Sequence, residues 1–295
     1  MRIVSLLPSS TEILFALGAA DDIAGVTFEC DYPEAARSKR IVSTSALPPG
    51  LTAQQIDAFV AAAIGSGADL YHLDAGALAQ IDADLVVTQD LCAVCAVDVS
   101  VVDDALAYLG CRAEVLTMDP HTLGAVIDSI ITLGSAVGRT DPANELATRL
   151  RRRLQTVTEA VAGQPEPRVA VLEWTDPPYA PGHWVPEMVT AAGGTPAIGL
   201  AGQKSVRTSW QAVAAGEPEL IVAAPCGYGL DRSVQLTREL VAQQVLPPRV
   251  PVWAVDANAS FARPGPRLID GVEALAAIIH PDRLPARPDL ALRVL

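Results

Sequence analysis

The chain has 295 residues, 50 % hydrophobic and 19 % charged, enough apolar material for a packed core and too much for a disordered chain. At about 150 residues per domain, this length suits two domains or one large one. Its 34 acidic against 21 basic residues give a formal charge of −13; with no basic run beyond Arg149, Arg151, Arg152 and Arg153 to offset it, a phosphate backbone is repelled and nucleic acid is excluded as a partner.

Met1 and Arg2 lead directly into an apolar run, Ile3 to Leu7, which Pro8 breaks. That run is too short for the core of an export signal, and no small-residue cleavage site or lipid-anchor cysteine follows it, so the expected location is the cytoplasm. Residues 126–137 form the longest apolar stretch, interrupted by Asp128, Ser129 and Thr132; no segment reaches the ~18 apolar residues of a membrane span. Five cysteines, Cys30, Cys92, Cys95, Cys111 and Cys226, are an odd number in a long chain and argue for thiols or metal ligands over a disulfide framework.

Near-continuous apolar runs predict strands at 2–7, 23–27, 85–88, 113–116, 169–173, 220–223 and 252–255. Runs without two-residue alternation belong to strands covered on both faces, as in parallel sheets under helices. Helices are predicted between them, at 12–17, 54–66, 102–109 and 186–192 among others. Ser9 with Glu12 three residues on reads as a capping box for the first. From 122 to 137 apolar residues recur at helical spacing. Gly138-Arg139-Thr140 interrupts, and Asp141 with Pro142 supplies an N-cap and first-turn proline for a second helix to about 161. Its arginines at 149–153 read as a solvated helix face. The class is α/β: two Rossmann-like lobes with parallel-rich sheets, 1–138 and 165–295, joined by a long backbone helix, 139–164.

Chemistry-bearing residues follow the strands. Glu29-Cys30-Asp31-Tyr32-Pro33, Gln89 to Cys95, Glu173-Trp174, His183-Trp184, Cys226-Gly227-Tyr228 and Asn258 to Pro266 all sit in such loops. Ligands of open α/β sheets bind outside the carboxyl ends of the strands, so with two lobes the expected site is a shared cleft, for which Trp174, Trp184, Trp210 and Tyr228 read either as walls or as ordinary core. Cys92 and Cys95 form a CxxC, readable as two small buried residues, a redox dithiol, or a metal site completed by Cys30 and Cys226 with zinc, iron or an iron–sulfur cluster. His183 is either an axial metal cap or a loop histidine bonded to backbone. His72, His121 and His280 flank helices and read as structural. Arg263, beside Phe261 and Pro264-Gly265-Pro266, holds a ligand carboxylate or amide, or bridges an acid. Glu29 and Glu173 supply carboxylates, but no positioned nucleophile accompanies them, and Gly193-Gly194 and Gly227-x-Gly229 lack dinucleotide spacing. No catalytic residue is assigned, and a binding protein is expected over an enzyme.

These segments together resemble a known superfamily. The opening Arg2-Ile3-Val4-Ser5-Leu6-Leu7-Pro8-Ser9-Ser10-Thr11-Glu12 is similar to the first strand and helix of the helical-backbone metal receptors, the class III periplasmic-binding-protein-like group that captures cobalamin and iron–siderophores for ABC importers. The loops quoted above, with Glu187 and Arg263-Pro264-Gly265-Pro266, resemble its cobalamin-binding branch. The resemblance implies a receptor for a cobalamin-like corrinoid or other metal chelate, held in a cleft between the lobes, with an ABC importer as candidate partner. It puts Ser9, Tyr32 and Phe261 among the ligand residues and sets Glu29, Gln89, Glu173, Asn258 and Arg263 against polar ligand edges. A cytosolic metalloprotein or enzyme using Cys30, Cys92, Cys95 and Cys226 is the alternative.

Overall fold

The computed structural model describes residues 1–66, 68, 70–89 and 113–295. The predicted helix at 102–109 and Cys92, Cys95 and Cys111 lie outside them. The chain divides into two compact units: Met1–Pro120 with Ile127–Ala147, and His121–Val126 with Thr148–Leu295.

The first unit is built on β1 (Ile3–Ser5), β2 (Ile23–Val26), β3 (Ser43–Ser45), β4 (Tyr71–Leu73), β5 (Leu85–Thr88) and β6 (Glu114–Thr117). Its main sheet has the order β2-β1-β5-β6 and is parallel throughout, while β3 and β4 form a separate antiparallel pair. Ile3 pairs with Leu85 and Ser5 with Val87. All three residues of β1 and all four of β5 are buried, as expected of strands covered on both faces. β6 departs from that expectation: Glu114 and Thr117 are exposed because β6 is the sheet edge. Val4, Leu6, Val42, Leu78, Ile81 and Val86 form the core on one side of the sheet, each contributing roughly 1.5–3 kcal/mol by burial.

The first helix runs Pro8–Ala16, with Leu7 as its N-cap and no side-chain cap. The expected capping box is therefore absent. Pro8, whose fixed φ suits the first helical position, starts the helix one turn early and carries Ser9 and Glu12 into the buried interior.

Two helices follow, Leu123–Ala136 and Thr140–Val161. The second begins at Thr140, so Asp141 lies in the first turn and is not the N-cap; there it still favours the positive helix end. Arg149, Arg151 and Arg152 are solvated, as expected. Arg153 is not: it is half-buried and bonds Asp270 and Glu273 (2.9 and 2.8 Å to the latter). Those acids, Glu273 foremost, hold its guanidinium further above the usual arginine range. Arg287 joins the network through Glu273 at 3.3 Å and Asp289 at 2.8 Å.

The second unit carries β7 (Arg168–Leu172), β8 (Trp174–Thr175), β9 (Pro178–Ala180), β10 (Thr195–Pro196), β11 (Val206–Arg207), β12 (Leu220–Ala223), β13 (Val252–Val255) and β14 (Ala291–Arg293). Its main sheet is ordered β10-β7-β12-β13-β14, parallel except for β14, which pairs antiparallel to β13. A small antiparallel sheet, β11-β9-β8, stands beyond the end of β7. Helix Leu230–Ala242 buries Ser233, Leu236, Thr237 and Leu240, spaced three and four apart, on one face. Helix Leu268–Ile279 is buried almost all round.

Candidate functional site

In a parallel sheet every strand delivers its following loop to the same edge, so the sheet order fixes which predicted residues become neighbours. At the carboxyl edge of the first sheet, Leu6 N–H donates to the Val87 carbonyl (2.9 Å), Thr27 N–H to Ser5 (3.1 Å) and Met118 N–H to Thr88 (2.8 Å). These bonds lace the ends of β1, β2, β5 and β6 together. Ser9 is buried in the helix leaving β1, Gln89 is buried just after β5, and Glu29 and Cys30 follow β2. Tyr71 donates its hydroxyl to Glu29 Oε2 at 3.3 Å and lies 5.8 Å from the exposed Phe28 ring, centroid to centroid. Tyr32, beside a cis bond to Pro33, is 47 % exposed. This edge thus offers the half-buried carboxylates of Glu29 and Asp31 and two accessible aromatic rings, Phe28 and Tyr32.

The second sheet brings its predicted residues together in the same way. Cys226 N–H donates to the Glu173 carbonyl at 3.0 Å, joining the loops after β12 and β7. Asn258 N–H donates to the Tyr228 carbonyl at 3.0 Å, joining those after β13 and β12. Gly227, at φ 81°, supplies the left-handed turn between Cys226 and Tyr228. Trp174 and Tyr228 then stack, with centroids 5.8 Å apart and planes 24° apart; such a pair is worth ~0.5–1.5 kcal/mol beyond its buried area. Asn258 sits on the short helix Ala257–Ser260, which Asp256 caps by accepting from Ala259 N–H at 2.8 Å.

The loop at 181–184 is clamped by the segment that follows β10. His183 N–H donates to the Gln203 carbonyl at 2.6 Å, and Gly202 N–H to the His183 carbonyl at 2.9 Å. Trp184 is buried and donates its indole N–H to the Phe261 carbonyl at 2.8 Å, so Trp184 and the buried Phe261 brace the loop interior. The His183 ring lies 5.5 Å from Trp184 and 5.9 Å from His121. Arg263 is half-buried. Trp210 belongs elsewhere: it packs on the core of Leu172, Val213 and Ile221. Of the remaining histidines, His280 is buried and pairs with the Gly193 carbonyl through Nε2 at 3.1 Å, and His72 lies on β4.

The thiols do not assemble a described metal centre. Cys30 is buried in the first unit, its Sγ 3.0 Å from the Thr11 hydroxyl; Cys226 is half-buried in the second. Cys92 and Cys95 lie outside the described residues. Among the described residues no group of three or more His, Cys, Asp or Glu side chains is placed to hold a metal ion.

The roles of two residues escape sequence reasoning. Glu187, in the first turn of helix Val185–Ala191, accepts from Leu123 N–H at 2.6 Å and so caps a different helix, 64 residues away. No local pattern signals such a bond. Arg232 lies with its Cζ 5.9 Å from the Tyr228 centroid; here a cue exists, an arginine four residues past an aromatic at a helix start.

The profile of the periplasmic binding protein family matches residues 3–247. An uncharacterized ABC transporter substrate-binding lipoprotein, YvrC of Bacillus subtilis (strain 168), is 25 % identical over 294 residues, covering 95 % of this chain and 80 % of that protein. Among solved structures, a periplasmic heme binding protein from Pseudomonas aeruginosa superposes with a TM-score of 0.71 at 21 % identity, covering 99 % of this chain and 97 % of that one. The periplasmic vitamin B12 binding protein BtuF of Vibrio cholerae gives 0.67 at 21 % identity, covering 94 % and 95 %. These likenesses correct one expectation and leave another unsupported. The cytoplasmic placement, drawn from the start of the sequence, is overturned, since the relatives are periplasmic or lipoprotein substrate-binding proteins. The cytosolic metalloprotein or enzyme finds no support among them. The α/β class with parallel-rich sheets matches these neighbours, and with a family profile running through both compact units, the chain belongs to the periplasmic binding protein family.

Proposed function

We propose that the chain is the ligand-capturing receptor of an ABC-type importer, and that its ligand is a cobalamin-like corrinoid or another metal chelate of that size. The observation that carries this reading is the stacked Trp174–Tyr228 pair among polar backbone-laced loops at a sheet's carboxyl edge. Aromatic surface ringed by a few polar groups suits a large conjugated ligand with a polar rim. The curated relative's name supplies the transporter class, and the solved neighbours bind vitamin B12 or heme. The proposed ligand residues are Ser9, Glu29, Tyr32 and Gln89 on the first sheet's edge. On the second they are Glu173, Trp174, His183, Tyr228, Asn258 and Arg263, with Trp184 and Phe261 behind them. The lobe boundaries proposed with this reading are 1–138 and 165–295.

Calorimetry and visible spectroscopy with cyanocobalamin and with hemin, each at tens of micromolar, test it. Heat and a visible-band shift with one of them support the proposal and select the chelate class. Silence from both removes it.

A further inference from the structure

The aromatic pair of the second unit carries a cation on it. Arg232, at the third position of helix Leu230–Ala242, holds its Cζ 5.9 Å from the centroid of the Tyr228 ring. The guanidinium is itself steered, since Nη1 donates to Gln235 Oε1 at 2.8 Å and lies 4.0 Å from Glu239 Oε1 on the same helix. The main chain of Tyr228 is fixed by its own bonds: its N–H donates to the Pro225 carbonyl at 3.2 Å, and its carbonyl accepts from Asn258 N–H at 3.0 Å. Ser233, fully buried, adds a hydroxyl bond to that carbonyl at 3.4 Å. The ring, by contrast, is held through its face, by Trp174 at 5.8 Å and by Arg232.

We infer that Arg232 is a positioning residue of the ligand wall: its guanidinium fixes the Tyr228 ring against Trp174 before ligand arrives. The two rings then meet a flat conjugated ligand as one preformed surface. This inference rests on the reading of these loops as the ligand site. The physical basis is the attraction between a cation and an aromatic face, which at a part-exposed site such as this multiplies the held population by about two- to fivefold. A ring fixed in advance spares the ordering of that side chain on binding, so the gain is read in affinity.

The test uses the full chain labelled with 3-fluorotyrosine. The chain has five tyrosines, and Tyr228→Phe identifies the Tyr228 resonance by its loss. In the ligand-free protein Arg232→Gln is expected to displace that resonance alone, Arg232→Lys to restore part of the shift, and Arg238→Gln, an equal charge loss at an exposed site on the same helix, to leave it in place. With cyanocobalamin or hemin as probe, Arg232→Gln is expected to weaken binding by about two- to fivefold, through faster dissociation. A Tyr228 resonance unmoved by Arg232→Gln, or moved equally by Arg238→Gln, overturns the inference. A displaced resonance with unchanged affinity for a bound probe overturns its role in binding. A displaced resonance in a protein that binds neither probe upholds the ring placement and overturns the reading of the site.

Discussion

Gly182 is the residue on which the His183–Trp184 loop depends, and replacing it by alanine gives a sharp test of how that loop is built. A Cβ at position 182 would meet Gln203 O at 2.2 Å, Lys204 C at 2.6 Å and Ser205 N at 2.6 Å. All three are main-chain atoms, so no side-chain rotation relieves the overlap, and one segment must retreat by about 0.8 Å or more to reach even the 3.0 Å limit. Of the bonds that cross the same seam, two end on the crowded residues Gln203 and Ser205: His183 N–H to Gln203 O at 2.6 Å and Gly182 N–H to Ser205 Oγ at 3.1 Å. Overpacking costs about 1–3 kcal/mol, the two weakened bonds about 1 kcal/mol each, and the stiffer unfolded chain returns ~0.4–1 kcal/mol. The expected loss is about 2–5 kcal/mol in urea unfolding followed by tryptophan fluorescence, with the slope preserved. Gly65→Ala, in a helix with nothing within 4 Å of its Cβ, is expected to be neutral or stabilising by up to ~1 kcal/mol. A Gly182→Ala protein within about 0.5 kcal/mol of the parent, the ordinary scatter of neutral surface changes, would refute the close approach of these two segments.

Removing the acceptor in Glu187→Ala is expected to cost about 1–2 kcal/mol at the start of helix Leu123–Ala136. Amide exchange at residues 123–126 reads this as acceleration, with Glu187→Gln intermediate; unchanged exchange counts against the cap. Thiol titration of the native protein is expected to lose one reactive group in Cys226→Ser and none in Cys30→Ser, since Cys30 is 4 % exposed and Cys226 half-buried; the reverse pattern would contradict this placement. The hydrogen bond from Arg287 holds the Asp289 carboxyl below its ordinary value of 3.8. Its contribution is therefore complete above that pH and fades as acid carries the pH down through the depressed value. Asp289→Asn is expected to flatten that acid limb in urea midpoints, by less than about 1 kcal/mol because Asp289 lies at the surface; an unaltered limb means the ion pair contributes nothing.

The strands at 85–88, 220–223 and 252–255 were legible to the residue, because continuous β-branched runs between polar loops have few other fates. The short antiparallel strands β8, β9, β11 and β14, of two or three residues each, carry no period to detect. Arg153 shows a second limit: a basic run reads as solvated until the fold delivers Asp270 and Glu273 from 117 and 120 positions away. The place of Trp174, Tyr228 and Asn258 in loops at the carboxyl edge of the second sheet was legible, because the loop after a parallel strand leaves at that edge. Trp210 opens a helix, Trp210–Ala215, and packs on the core, the second of the two readings its position allows. The capping box at Ser9 failed because Pro8 is the stronger start signal, which a reading of the hydroxyl alone overlooks.

The loops after β7, β12 and β13 are sewn to one another by the carbonyls of Glu173 and Tyr228 and the amides of Cys226 and Asn258. Every residue but proline carries both peptide groups, so this stitching is indifferent to the side chains at 173, 174 and 228 and, proline apart, at 258. On the proposed reading of these loops as the ligand wall, changing those four side chains would alter the guest and leave the seams beneath in place.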